Sequence, residues 1–216
     1  MPLVVVGISQ YYYSFAPILL PMVKWIFDRM VALVAIIALL PLFVIIALVV
    51  LIANGRPVFF RQIRIGQNGR KFVMVKFRTM TGVEENSIST LDSNRITKTG
   101  DFLRRTKLDE LPELWNILIG DMSLVGPRPD VPGYADQLTG DDRVILKLKP
   151  GLTGIASLKY RNEDEILSQQ ANPQEYNDTV IWPDKVQLNK IYFERQSLWL
   201  DLKIILFTAL GREWKE

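Results

Sequence analysis

Residues 31–53 read VALVAIIALLPLFVIIALVVLIA, 23 positions without one charged or strongly polar side chain. As a helix, a run of that length reaches across a hydrocarbon core of about 30 Å. Burial inside a soluble protein is the competing reading, and the length argues against it. Pro41 stands near the middle, where it removes a backbone hydrogen bond and crowds the preceding turn, so a kink is expected. Lys24 and Arg29 precede the run and Arg56, Arg61 and Arg64 follow it. Cations on both flanks give no preferred crossing direction. A helix bent at Pro41 that enters and leaves by one face satisfies both observations. A kinked spanning helix satisfies only the first, so the re-entrant form is preferred.

Ahead of this run, residues 1–23 carry no charge but are interrupted by Pro2, Gly7, Pro17, Pro21 and Tyr11-Tyr12-Tyr13. They have no basic leading region and no clear small-residue cleavage site, which argues against a signal peptide. The tyrosines suit a bilayer interface; a second membrane segment and a disordered leader both stay open. Across all 216 residues there is no cysteine and no histidine. That excludes disulfides, thiolate or imidazole metal sites, a Cys nucleophile and a His base. Chemistry must come from carboxylates, Lys and Arg, hydroxyls and a hard cation such as Mg²⁺. The net charge of +3 is too small to imply nucleic acid.

Following the run, residues 57–80 read as a β-hairpin, with Val58-Phe59-Phe60 and Phe72-Val73-Met74-Val75 in the strands and Gly66-Gln67-Asn68-Gly69 as the turn. Alternation puts Val73, Val75 and Phe77 on one face and Lys76 and Arg78 on the other, usually a solvated face and less often a phosphate-facing one. Residues 82–94 are polar and unpatterned, as in a loop.

Leu103-Arg104-Arg105-Thr106-Lys107-Leu108-Asp109-Glu110-Leu111-Pro112 sets three cations ahead of two adjacent carboxylates. With Asp109 as N-cap and Pro112 in the first turn, a helix is expected to about Ile119, burying Leu111, Leu114, Trp115 and Leu118. The dyad then lies at the positive end of that helix, a place that favours anions. A capped helix with a solvated charge cluster is the plainer alternative. Downstream, Arg128 stands between Pro127 and Pro129, a stiff mount for a side chain shaped for bidentate phosphate contact. Residues 149–154 form a rigid turn whose glycines let backbone amides approach a ligand. Residues 162–184 read as a surface insertion, and residues 185–216 as helical. The segment Leu198 to Phe207 is too charged to span, so it docks on the rest of the domain or lies in the interface.

Taken in order, these pieces resemble the bacterial sugar transferase family, the monotopic phosphoglycosyl transferases. The resemblance rests on Lys24, Asp28 and Arg29, on the apolar helix with Pro41, and on Lys76 to Met80. It continues through Gly100 to Pro112, Gly120 to Pro129, Pro150 to Gly154 and Leu198 to Lys203, covering about Lys24 to Gly211. It implies an α+β, mainly helical, monotopic membrane protein with a kinked re-entrant helix (24–55) broken at Pro41 and a cytoplasmic catalytic domain (56–216); the uncharged leader (1–23) exceeds the short N-terminus of a minimal member. That domain carries a small β-hairpin and C-terminal amphipathic interfacial helices. The implied reaction moves a phosphosugar from a UDP-sugar to a polyprenyl phosphate, at the cytoplasmic face of the bacterial inner membrane among its phospholipids. Asp109 matches the family's nucleophile and Glu110 its Mg²⁺-associated acid, while Arg104 and Arg128 match arginines near the phosphates; Lys76, Arg78 and Arg161 join the candidate phosphate contacts. Nucleic acid is not an expected partner, and a homodimer is left open. After Gly154 the chain departs from the family's Gln-Val-Asn-Gly-Arg-like run with Ile155-Ala156-Ser157-Leu158-Lys159-Tyr160-Arg161, keeping only the final cation, so donor specificity does not carry over. The rival reading is a non-catalytic membrane adaptor that binds anionic lipid. A phosphotransferase without covalent intermediate is a third, and the lack of a Gly-x-x-x-x-Gly-Lys-Ser/Thr loop counts against an NTPase.

Overall fold

The computed structural model describes residues 4–81, 96–212 and 214, with side chains from residue 21 onward except that of residue 164. The expected loop at 82–94 and the side chains of Tyr11-Tyr12-Tyr13 lie outside what it describes. The architecture is mainly helical with a small antiparallel hairpin.

Helix α1 (Val4–Asn54) contains the apolar run and continues through Pro41 as one element. Leu, Ile, Val and Ala carry it unbroken until Gly55, whose φ of 70° ends it. A single stripe packs inward: Ala32, Ile46 and Val50 are buried, and Ala35, Ile36, Leu39 and Phe43 lie against the core. The opposite face exposes Val34, Ile37, Leu40, Val44, Ile45, Leu48 and Ile52, the last at 85%. So large an exposed apolar face belongs against lipid or another apolar surface. Among the described residues, Pro21–Asn54 is the one helix long and apolar enough to cross a membrane.

Strands β1 (Phe59–Ile65) and β2 (Lys71–Phe77) pair antiparallel in the register Phe59↔Phe77 to Ile65↔Lys71. The tight turn rests on Asn68 and Gly69, both left-handed. The hairpin is the expected one, but its faces are not. Met74 and Phe77 are buried while Val73 is 48% exposed. Phe77 packs under α1, and Lys76 is covered by carboxylates, so both faces of β2 have partners. Simple alternation assumes one wet and one dry face, whereas each face of β2 is covered at its Phe77 end and the face of Val73 opens to solvent at the other.

Helix α2 (Lys98–Arg105) is capped by Thr97, whose hydroxyl accepts from Gly100 N at 2.9 Å. A 3-10 turn (Leu108–Glu110) leads to α3 (Glu113–Ile119). Gly120 ends α3 at φ 96°, and Arg29 of α1 donates to the carbonyls of Leu118 (2.9 Å) and Ile119 (3.2 Å). A cation at a helix C-terminus offsets the dipole and satisfies two orphan acceptors. Strands β3 (Ser123–Val125) and β4 (Gly151–Thr153) pair in parallel. A Cβ on Gly151 would overlap the backbone of Gly126, and one on Gly154 would do the same. These glycines serve the close approach of two chain segments, where a ligand-facing role had been expected.

The region 162–184, expected as a surface insertion, folds into α5 (Glu163–Ser168), α6 (Pro173–Tyr176) and a π-helical turn (Asn177–Ile181) after α4 (Ile155–Lys159). Leu167 and Ile181 of this region are buried. Two helices close the chain, α7 (Trp182–Arg195) and α8 (Leu198–Ala209). Helix α8 buries Asp201 and Ile204 in the domain and exposes Trp199, Leu202 and Leu206, so it docks and still presents an apolar face.

Both ends of the segment from Lys24 to Asn54 are tied to this domain. At one end Lys24 Nζ meets Asp201 at 2.6 Å, Tyr192 Oη donates to Asp201 at 2.6 Å, and Ser123 Oγ donates to Asp28 at 2.6 Å. At the other, Arg78 donates to the carbonyls of Asn54, Gly55 and Arg56, and Asn54 Nδ2 returns a bond to Arg78 O at 2.8 Å.

Candidate active site

The dyad sits in the 3-10 turn between α2 and α3. Lys107 takes a left-handed backbone (φ 57°), which ends α2 and swings the next residues inward. Asp109 and Glu110 are consequently buried, each 8% exposed. Asp109 is therefore not the N-cap of the following helix: α3 starts at Glu113, and Pro112 holds the cap position. The inward face differs as well. Glu113 and Asn116 are buried, whereas Trp115, expected inside, is 55% exposed. The reason lies across the interface with β2, where polar groups demand partners. Asn116 donates to Val73 O (2.7 Å) and accepts from Val75 N (3.2 Å), so its amide stands in for a neighbouring strand.

Two cations converge on one carboxylate oxygen. Lys76 Nζ is 2.9 Å from Glu110 Oε1, and Arg128 Nη2 is 2.5 Å from the same atom. Lys76 also reaches Glu113 Oε1 at 3.2 Å. Arg128 comes from the proline-flanked loop after β3, held by bonds from Gly151 N to Pro127 O (2.7 Å) and from Gly126 N to Thr153 O (2.9 Å). Its side chain remains 43% exposed, so one end of the guanidinium faces outward. Asp109 is unlike its neighbours: neither oxygen accepts a hydrogen bond from a described residue, and Oδ1 is buried without a partner.

The charges follow from these contacts. Burial raises the Asp109 carboxyl above the ordinary range and Glu110 adds to it; Lys76, Lys107 and Arg104 pull back without cancelling. Burial also opposes charge on Glu110, but Arg128 and Lys76 outweigh it and hold that carboxyl well below the usual range. Glu113 is raised, chiefly by burial. Glu110 in turn holds Arg128 firmly protonated.

Of the residues singled out from the sequence, Lys76, Asp109, Glu110 and Arg128 come together, and the charge of Arg104 reaches Asp109. Lys76 is drawn into the site, against the usual solvated reading of such a strand. Arg105 pairs with Asp101 on the surface. Arg78 is engaged at the C-terminus of α1, and Arg161 is exposed and lies against Gly211 at the end of α8. Glu113 and Asn116 were not singled out. Their one signal is spacing: Glu113 lies one turn beyond the dyad and Asn116 one turn further, on the same helical face.

A hard cation such as Mg²⁺ takes one or two carboxylates and completes its shell with phosphate oxygens and water. The partnerless Oδ1 of Asp109 beside the Glu110 carboxylate fits that donor set. Among the described residues no group of three or more acidic side chains forms a preassembled metal cage.

Residues 20–212 match the family model described as bacterial sugar transferase. The chain is 36% identical over 189 residues to the uncharacterized sugar transferase EpsL of Bacillus subtilis, covering 87% of this chain and 86% of that one. It is 39% identical over 160 residues to the UDP-glucose:undecaprenyl-phosphate glucose-1-phosphate transferase of Klebsiella pneumoniae, covering 71% of this chain and 32% of that protein. It is 32% identical over 200 residues to the exopolysaccharide production protein ExoY of Sinorhizobium fredii, covering 84% and 81%. The chain thus spans about a third of the Klebsiella protein and most of the other two. With the family model matched over nearly the whole chain, this protein belongs to the bacterial sugar transferase family.

Proposed function

We propose that this chain transfers a phosphosugar from a UDP-sugar to undecaprenyl phosphate, with Asp109 as nucleophile and UMP as leaving group. The observation that carries the proposal is the bare, buried Asp109 carboxylate beside a two-cation clamp. An Asp109 oxygen attacks the β-phosphorus of the donor, and the bond from that phosphorus to the bridging oxygen breaks. The bridging oxygen and its electron pair leave with UMP, and the sugar stays on an aspartyl-phosphate. An oxygen of undecaprenyl phosphate then attacks the same phosphorus and releases Asp109, giving undecaprenyl-diphosphate-sugar. That oxygen is anionic at neutral pH and needs no base, as suits a chain without histidine.

Donor and nucleophile both carry negative charge, so Lys76 and Arg128 are assigned to the diphosphate, where they offset charge that builds on the phosphoryl oxygens. Arg104 contributes its charge near Asp109. When bound next to Glu110, Mg²⁺ would supply further positive charge to the same oxygens. Helix α1 brings the lipid acceptor to the dyad. We assign it a re-entrant path from the cytoplasmic face of the inner membrane, with Pro41 at the turn. Supporting this, Lys24 and Asn54, about 45 Å apart along a straight helix, are tied to the same domain. A helix that delivered its far end across the bilayer would carry one of those contacts away.

Protein in membrane mimetic with Mg²⁺, undecaprenyl phosphate and a panel of UDP-sugars should release UMP with the cognate donor. Release of UDP instead would make it a different kind of glycosyltransferase and overturn the reading. Labels at residues flanking Lys24 and Gly55 should react from the same side of the membrane. Reaction from opposite sides removes the re-entrant path.

A further inference from the structure

Lys76 has two carboxylate partners, and they differ. Glu110 shares its Oε1 with Arg128 and sits in the 3-10 turn. Glu113 lies deeper, its side chain 3% exposed against 10% for Glu110, and Lys76 is its one ion-pair partner among the described residues. It belongs to the first turn of a helix that is clamped to the strand bearing Lys76. One turn further on, Asn116 holds both Val73 O and Val75 N, three positions and one position before Lys76. Strand, ammonium and α3 are thereby locked together independently of Glu110. A phosphate entering the clamp competes with Glu110 for Lys76 and Arg128, because all of them meet at one oxygen. An ammonium that lost its sole counter-ion in a site so enclosed would follow it or draw back. Glu113 prevents that.

We propose that Glu113 is a positioning residue: it is the fixed counter-ion that keeps the Lys76 ammonium aimed at the donor diphosphate when Glu110 lets go, on a strand register set by Asn116. The proposal deepens the phosphosugar-transfer reading and rests on it. Glu110 is the exchangeable partner of Lys76 and Glu113 the permanent one. Glu113 acts through Lys76 and does not itself touch the phosphates.

The test is a double-mutant cycle on UMP release. Glu113→Gln keeps shape and hydrogen bonding but removes the charge. It should lower kcat/KM for the donor by about 10- to 100-fold, and Glu113→Asp should recover part of that loss. In a Lys76→Met background the same Glu113→Gln change should cost no more than about two-fold, since the group it positions is gone. Asn116→Ser, which loses the amide clamp, should reproduce the coupling in weaker form. Full additivity of Glu113→Gln with Lys76→Met overturns the proposal. So does a Glu113→Gln loss that tracks a fall in thermal midpoint and persists at the same size in the Lys76→Met background. Failure of the underlying reading looks different, because wild type would then release no UMP with any donor.

Discussion

Asp109 and Asp201 are both buried aspartates, and they are held in opposite ways. Asp201 is 1% exposed and has a donor on each oxygen: Lys24 Nζ at 2.6 Å and Tyr192 Oη at 2.6 Å. Burial and Asp201 together keep the Tyr192 hydroxyl protonated far above its ordinary range, so it remains a donor. Asp109 has no donor among the described residues, and its Oδ1 is enclosed without a partner. Buried polar atoms are nearly always hydrogen-bonded, because an unmet one costs about 1–3 kcal/mol. One carboxylate is thus built into the fold, fixing the foot of α1 to α7 and α8. The other is kept bare at a cost to stability, with cations near enough to favour its charge and too far to occupy its oxygens. A nucleophile needs the second arrangement, since a lone pair already engaged by a donor is not available to phosphorus.

The sharpest way to break this contrast is to neutralise each residue in turn. Asp109→Asn should reduce UMP release by about 10⁴-fold or more and eliminate any trapped phosphosugar adduct, read by intact-protein mass spectrometry. It should leave the thermal midpoint unchanged or higher, because an uncompensated buried carboxylate has been removed. Asp201→Asn should do the reverse. Removing its charge leaves Lys24 only the longer pair with Asp28 at 3.7 Å and should cost up to about 3 kcal/mol, while activity per folded molecule is retained. If Asp109→Asn were as destabilising as Asp201→Asn, Asp109 would be a structural carboxylate like the other.

A smaller effect separates charge from shape in the clamp. Arg128 reaches Glu110 through one nitrogen and leaves the rest of its fork outward. Arg128→Lys keeps the charge but not the fork, and Lys contacts phosphate only as a point charge. A loss of about 10- to 100-fold in kcat/KM, with a thermal midpoint near wild type, is the expected outcome. Kinetics indistinguishable from wild type would mean that Arg128 serves Glu110 by charge alone.

Much of this was legible in the sequence, and the limits have physical causes. Residues 31–53 and the hairpin at 57–80 declare themselves through local pattern, and the dyad through unusual local chemistry. The fate of Lys76 was not legible, because alternation along β2 says which residues share a face but not that α3 covers that face with Glu110 and Glu113. Asp109 read as a helix cap because a left-handed Lys107 is rare for a residue with a Cβ, and that one torsion moves the start of α3 by several residues. Trp115 read as core because an apolar residue at helical spacing usually is. Here the inward position goes to Asn116, whose reason for being there is the backbone of a strand some forty residues away. Gly151 and Gly154 read as ligand-facing for the same reason: the segment they make room for, at Gly126, is distant in sequence.

Asp130 offers an intermediate case and the smallest of the predicted effects. It follows Arg128 and Pro129, and its backbone carbonyl accepts from Ile65 N at 2.9 Å, so its position is fixed. Its carboxylate, like that of Asp109, accepts no hydrogen bond from a described residue. Burial pushes the carboxyl up to about 7, and Lys185 and Arg64 pull down without cancelling it. Unfolded, the same group titrates near about 4. Between those two values the folded protein holds a proton that the unfolded chain has released, so stability falls as pH rises through the window. The contribution is complete below about pH 4 and gone above about pH 7. Asp130→Asn carries no such titration. Relative to wild type, its unfolding free energy should therefore gain on the order of 1 kcal/mol between pH 4.5 and 7.5, a modest figure because the residue is only half-buried. Thermal midpoints measured at several pH values for both proteins give the difference directly. Parallel curves would mean that Asp130 ionises as an ordinary surface carboxylate, leaving Asp109 as the bare acid that separates this site from the foot of α1.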